Sequence, residues 1–222
     1  MFATAPLRVV AVSAGLSQPS STRLLADRLA AATRERLAAE QDRDGRDVEV
    51  RVIELRDLAV DIANHLVSGF PPAALRAAID SVTEADGLIA VTPVFTASYS
   101  GLFKSFFDLI DHTALTGKPV VIAATGGTAR HSLVLEHALR PLFAYLRAVT
   151  VPTSVYAASE DWGSSGDEYT EGLPSRIRRA GGELASAVLG RTVSGASRSP
   201  GLDDGADAVV PFEQQLADLR LD

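Results

Sequence analysis

Hydroxyl side chains crowd the stretch Ser13-Ala14-Gly15-Leu16-Ser17-Gln18-Pro19-Ser20-Ser21-Thr22, which carries no charge and stands between an apolar run and a helical pattern. Ser13, Ser17, Ser20, Ser21 and Thr22 are uncharged donors, and a helix N-terminus adds unpaired N–H groups and the positive end of its dipole. Such a turn suits a phosphate. One hydroxyl would merely cap the helix, but five within ten residues need more explanation. The stretch has no Gly-Lys-Ser/Thr, and Gly15 is not followed by the glycines of a dinucleotide fingerprint, which points to a singly phosphorylated nucleotide. Two further stretches share the uncharged Ser/Thr/Gly/Pro character: Pro93 to Ser100, and Thr125-Gly126-Gly127-Thr128 leading into Arg130. Gly126 and Gly127 lack Cβ atoms, so their backbone can approach a planar group and donate N–H bonds to it. The chain has no cysteine, which removes disulfides and thiol nucleophiles together. Its four histidines are His65, His112, His131 and His137, and the gap between the last two does not match the helical spacing of metal ligands. No metal site is expected.

The elements that must position these stretches alternate in type. Strands are expected at Leu7–Val12, Val48–Ile53, Gly87–Thr92, Pro119–Ala124 and Val149–Ala157. Helices are expected at 21–40, Ala73–Glu84, Leu102–His112, Ser132–Leu146 and Leu173–Leu189, with His65 in a polar loop after the second strand. Runs apolar on both faces suit a parallel sheet covered on each side by helices. The reading is an α/β three-layer sandwich whose five-stranded parallel sheet has the order 2-1-3-4-5. Its strand order reverses between the first and third strands, and there the three uncharged stretches converge.

The 222 residues, 46% of them hydrophobic, suffice for one domain at 1–190. Residues 191–222 form an acidic tail: from Asp203 onward, Asp203, Asp204, Asp207, Glu213, Asp218 and Asp222 face Arg220 alone, yet Val209, Val210, Phe212, Leu216, Leu219 and Leu221 are apolar. Either a solvated tail or a linker with a short docking helix fits. A net charge of −7 argues against nucleic acid as a partner. The start Met1-Phe2-Ala3-Thr4-Ala5-Pro6 shows no basic leader and no apolar run spans a membrane, so a cytoplasmic protein is expected.

Three stretches, Ser13–Thr22, Thr92–Lys104 and Thr125–Leu133, resemble the NADPH-dependent FMN reductases of the flavodoxin-like superfamily. Within it they are most similar to the actinobacterial group paired with luciferase-like flavin monooxygenases. The resemblance covers about residues 7–190, and Val210-Pro211-Phe212-Glu213 in the tail shares it. It implies FMN with its phosphate at the hydroxyl loop, its isoalloxazine edge along Pro93, Val94, Phe95 and Thr96, and its pyrimidine end at Thr125, Gly126 and Gly127. It further implies NADPH or NADH as hydride donor, reduced flavin passed to a partner monooxygenase, and a homodimer or homotetramer. Many relatives carry an arginine in the first loop; here Gln18 stands there and Arg23 lies within the helix, leaving the phosphate to hydroxyls and backbone N–H groups. Hydride transfer between the two cofactors needs little acid–base help, so no catalytic residue is named. Two rivals remain: a flavodoxin-type electron carrier, which would sandwich the flavin between aromatics although here Phe95 and Tyr99 could cover at most one side and Trp162 lies in a distant loop, and a reductase of quinones or azo dyes. The helix Leu102, Phe103, Phe106, Phe107, Leu109, Ile110 is apolar over nearly half its circumference, more than a core-facing stripe needs, which suggests a subunit interface or a deeply buried helix.

Overall fold

The structure, a computed structural model, describes residues 5–41, 46–163 and 172–195. The tail from 196 onward, with its apolar and acidic residues, lies outside the described residues, as do residues 42–45 between the first helix and the second strand.

Five parallel positions make the sheet among the described residues, in the order β2 (Val48–Glu54), β1 (Leu7–Ser13), β3 (Gly87–Phe95), β5 (Pro119–Gly126) and then a shared fifth place. The order expected from the five apolar runs is therefore observed. The fifth run is divided: β6 (Val149–Thr150) pairs with Pro119 and Val120, and β7 (Val155–Ala158) pairs with Ala123 to Gly126. Pro152 has no N–H to give to the ladder, and both the N–H and the hydroxyl of Thr153 donate instead to Glu183, each at 2.7 Å. A two-residue strand, β4 (Ser98–Tyr99), folds back antiparallel on the end of β3, where a loop was expected.

Alternation along each strand sorts the core into two layers. Val10, Val12, Leu88, Ala90, Val120 and Ile122 face α3 (Ala73–Glu84), α4 (Gly101–Phe107) and α5 (Arg140–Tyr145). Val9, Ala11, Ile89, Val91, Val121 and Ala123 face α1 (Ser21–Gln41) and α6 (Leu173–Gly195). The apolar surplus of α4 is taken up inside the subunit: Phe103, Phe106 and Phe107 are buried, and the Phe107 ring lies 4.7 Å from that of Phe103 and 5.0 Å from that of Phe143. This is the deeply buried helix of the two readings.

Two expectations for helices are corrected. The residues after β2 are not a polar loop but a 3-10 turn, Leu55–Leu58, and a helix, α2 (Ala59–Ser68), which carries His65. The helix expected over Ser132–Leu146 is divided into a 3-10 turn (Ala129–His131), a π turn (Leu135–Leu139) and α5. Pro141 cannot donate to the residue four back, and the wider turn just before it accommodates the missing bond.

Two adjacent glycines in α6 give a matched test of packing. A Cβ on Gly181 would lie 3.0 Å from both Ala32 Cβ and Thr33 N of α1, whereas Gly182 has nothing within 4 Å. Gly182→Ala should stabilise the fold by up to about 1 kcal/mol through helix propensity. Gly181→Ala makes the same gain but crowds helix backbone, at ~1–3 kcal/mol, and should be net destabilising. Thermal melts read both, at roughly 2–4 °C per kcal/mol for a chain of this size. Equal increases in Tm would contradict the close α1–α6 approach.

Candidate functional site

The parallel order brings the carboxyl ends of β1, β3 and β5 to one edge, with Ser13 beside Val91 and Pro93 beside Thr125. The loops leaving these strands are joined directly. Ala14 N donates to the carbonyl of Val91 at 3.0 Å, and the hydroxyls of Thr22 and Thr125 share a buried hydrogen bond of 2.8 Å. The three uncharged stretches thus meet at one place.

In the first loop the five hydroxyls divide. Ser13 Oγ is buried and has no hydrogen-bond partner among the described residues. Ser17 donates to the carbonyl of Pro19 at 3.0 Å, and Ser20 Oγ accepts from Arg23 N at 3.2 Å as the helix cap. Ser21 is exposed and Thr22 is tied to Thr125. The first turn of α1 holds no acidic residue that would oppose an anion. Gly15 is buried, and a Cβ there would meet Ser20 Oγ at 2.1 Å.

In the second stretch, Pro93 is still a buried strand residue and Val94 is half-buried opposite Tyr99, so Phe95 and Thr96 reach the surface. Thr96 and Ala97 turn the chain with φ of 49° and 66°, the left-handed pair that a two-residue hairpin demands and that a β-branched residue resists. Thr92 and Ser100 brace the hairpin from below: Ser100 N donates to Thr92 Oγ1 at 3.0 Å, and Ser100 Oγ caps α4.

In the third loop Gly127 is exposed with nothing within 4 Å of its missing Cβ, so its backbone is open to a ligand. Gly126 is glycine for another reason. Its Cβ would stand 2.0 Å from Tyr156 Oη, which donates to the carbonyl of Thr128 at 2.8 Å. Burial raises the Tyr156 hydroxyl pKa above its ordinary value, with Asp161 and Glu160 adding to the effect, so at neutral pH it remains a donor. Arg176 holds this strand end, donating to the Tyr156 carbonyl at 2.7 Å and to Asp161 at 2.9 Å. Tyr156 was not singled out in the sequence, although its place at the carboxyl end of the fifth strand is the signal that could have found it.

Each of the three stretches presents one exposed large apolar side chain: Leu16, Phe95 and Leu133. Tyr99 turns inward against Phe103 at 6.0 Å between ring centres, and Trp162 packs on the α1 side beneath the Arg28 guanidinium at 5.2 Å. Arg130 and His131 are exposed just after the third loop. Among the described residues no group of three His, Asp or Glu could hold a metal ion.

The site fits FMN. A buried hydroxyl without a partner ends the strand that leads into α1, whose first turn carries no acid, and an open glycine backbone follows β5 at the same sheet edge. The comparisons agree. Residues 7–163 match the family model for NADPH-dependent FMN reductase. The chain is similar to an FMN reductase (NADPH) of Pseudomonas aeruginosa, with 43% identity over 85% of this chain and 96% of that one. It is 42% identical to an NADH-dependent FMN reductase, SfnF, of Pseudomonas fluorescens over 83% of this chain and 93% of the relative. Its structure superposes on an oxidoreductase from Corynebacterium diphtheriae with a TM-score of 0.77 and 46% identity, covering 83% of this chain and 98% of the other. With this sheet order, these converging loops and this similarity, the chain belongs to the NADPH-dependent FMN reductase family.

Proposed function

We propose that this NAD(P)H-dependent FMN reductase binds FMN across the three loops and passes the reduced flavin to a partner monooxygenase. In this reading Ser13, Ser17, Ser20, Ser21, Thr22 and the N-terminus of α1 hold the phosphate. Pro93, Val94, Phe95 and Thr96 border the ring system, and Thr125, Gly126 and Gly127 meet its pyrimidine end. When bound, FMN supplies the two-electron acceptor for a hydride from the reduced nicotinamide. The observation that carries the phosphate placement is the buried, partnerless Ser13 Oγ, since a buried hydroxyl left without a bond costs stability.

The chain's own contribution is orientation. Backbone N–H groups at Gly126 and Gly127 favour negative charge at the ring end they face. The hairpin at Thr96 and Ala97 sets the height of the Phe95 wall. Tyr99 and Trp162 are committed elsewhere, which supports a flavin with one face left free for a nicotinamide and disfavours the electron carrier. The relatives' names include both nicotinamides, so the donor is assigned as NADPH or NADH. A cytoplasmic homodimer or homotetramer remains part of the reading. No helix among the described residues is long and apolar enough to cross a membrane.

Anaerobic stopped-flow mixing of the FMN-loaded protein with NADPH or NADH should bleach the oxidised flavin band. Equilibrium dialysis should then show that FMN leaves freely. Unchanged absorbance would refute the hydride step at this site, and flavin retained through dialysis would refute delivery to a second enzyme.

A further inference from the structure

We infer that Arg56 is a positioning residue for the phosphate loop, acting through the backbone at Ser17 and Gln18 and not by contact with the phosphate. Arg56 sits in the 3-10 turn after β2, far from the first loop in sequence. Its Nη1 donates to the Ser17 carbonyl at 2.8 Å, and Gln18, with its amide oxygen turned to the guanidinium, accepts from Nη2 at 2.8 Å. Arg56 is itself held by Glu54, with Nη2 2.6 Å from Oε2, and the other oxygen of Glu54 accepts from Arg23 in the first turn of α1. Glu54 pairs with Ser13 in the strand register, at the foot of the loop. The Glu54 and Arg56 side chains are only 15% and 18% exposed. One carboxylate between two guanidinium groups therefore ties the middle of the loop and the first turn of α1 to the end of β2.

Peptide geometry gives this clamp a consequence for an anion. The Ser17–Gln18 bond is trans, so fixing its carbonyl toward Arg56 turns the Gln18 N–H to the opposite side. Pro19 has no N–H, which makes the orientation of the Gln18 donor count for more. A loop fixed before the ligand arrives loses less freedom on binding. The first loop lacks an arginine of its own, and in this structure an arginine in the turn just after β2 braces it from behind. This inference rests on the placement of the FMN phosphate proposed above.

The test compares FMN with riboflavin, which lacks the phosphate, for the wild type, Arg56→Ala, Arg56→Lys and Glu54→Gln. The wild type should prefer FMN. Arg56→Ala should weaken FMN about tenfold, the scale of one charged hydrogen-bond set, and change riboflavin by less than about twofold. The kcat at saturating FMN should not change. Arg56→Lys should recover part of the affinity, because its three donors sit on one nitrogen and cannot span the acceptors that Nη1 and Nη2 reach separately. Glu54→Gln, which keeps the shape and frees the guanidinium, should move FMN in the same direction. Arg56→Ala and Glu54→Gln variants that kept the full FMN preference, or that lost FMN and riboflavin equally, would overturn the inference and leave the phosphate placement standing. A wild type that bound the two flavins equally would overturn the placement, and the inference with it.

Discussion

Gly126→Ala is expected to weaken FMN binding by about two orders of magnitude and to lower the melting temperature as well. The added Cβ would lie 2.0 Å from Tyr156 Oη, closer than packed atoms allow, and 3.1 Å from its Cζ, a tight contact. Tyr156 cannot swing away cheaply. It is 5% exposed, and its backbone is held by Arg176. The loop must therefore move, losing the bond from Tyr156 to the Thr128 carbonyl. Overpacking at ~1–3 kcal/mol and a lost hydrogen bond at about 1 kcal/mol together match the expected loss in affinity. Gly127→Ala is the control: nothing surrounds its missing Cβ, so the melting temperature should hold while affinity falls, because there the new methyl meets only the ligand. Adding Tyr156→Phe to Gly126→Ala removes the 2.0 Å contact but not the one at 3.1 Å, so it should recover only part of the stability. Flavin fluorescence titrations beside thermal melts read all three proteins. Wild-type affinity in Gly126→Ala would mean that the third loop does not touch the flavin.

The same glycine marks how far the residues alone could be read. Gly126-Gly127 was legible as an uncharged turn at a strand end, but the reasons for the two glycines differ, and the first depends on Tyr156, thirty residues on. The strands were legible because both of their faces are buried: Val9 and Ala11 pack on one side and Val10 and Val12 on the other. The division of the fifth strand was not, since it turns on Glu183 in α6 receiving Thr153. Pro141 carried the signal for the irregular helix before α5, but the helical spacing from Ser132 to Leu146 was read as one unbroken helix. The helix α2 was legible in its spacing, since Ala59, Ile62, Ala63 and Leu66 recur at helical period, and the reading of a polar loop weighed His65 and Asp61 above that stripe. In the first loop the hydroxyls were legible as a group, but which one is free and which one caps depends on contacts made after folding. Arg56 gave no signal at all. Its role exists only because β2 lies beside β1.

Gly15→Ala should damage the opposite end of the site, by about 30- to 100-fold in FMN affinity. The new Cβ would meet Ser20 Oγ at 2.1 Å, Thr22 Cβ at 3.1 Å and Ser20 Cβ at 3.2 Å. Rotating Ser20 away removes the cap on α1, worth about 1 kcal/mol. Displacing Thr22 leaves the buried Thr125 hydroxyl without its partner, at ~1–3 kcal/mol. In both loops a hydroxyl that serves the loop fills the space of a glycine Cβ, Ser20 here and Tyr156 across the site. The two substitutions nevertheless predict different flavin selectivity. Gly15→Ala should cost FMN at least about tenfold more than riboflavin, because it disturbs the phosphate end directly and reaches the ring end only through the Thr22–Thr125 bond, whereas Gly126→Ala should weaken riboflavin and FMN together. Adding Ser20→Ala to Gly15→Ala relieves the 2.1 Å contact and should raise the melting temperature again without restoring FMN, since the cap is still missing. If Gly15→Ala reduced riboflavin and FMN binding to the same extent, the first loop would not be holding a phosphate, and the division of the site into a phosphate end and a ring end would fail.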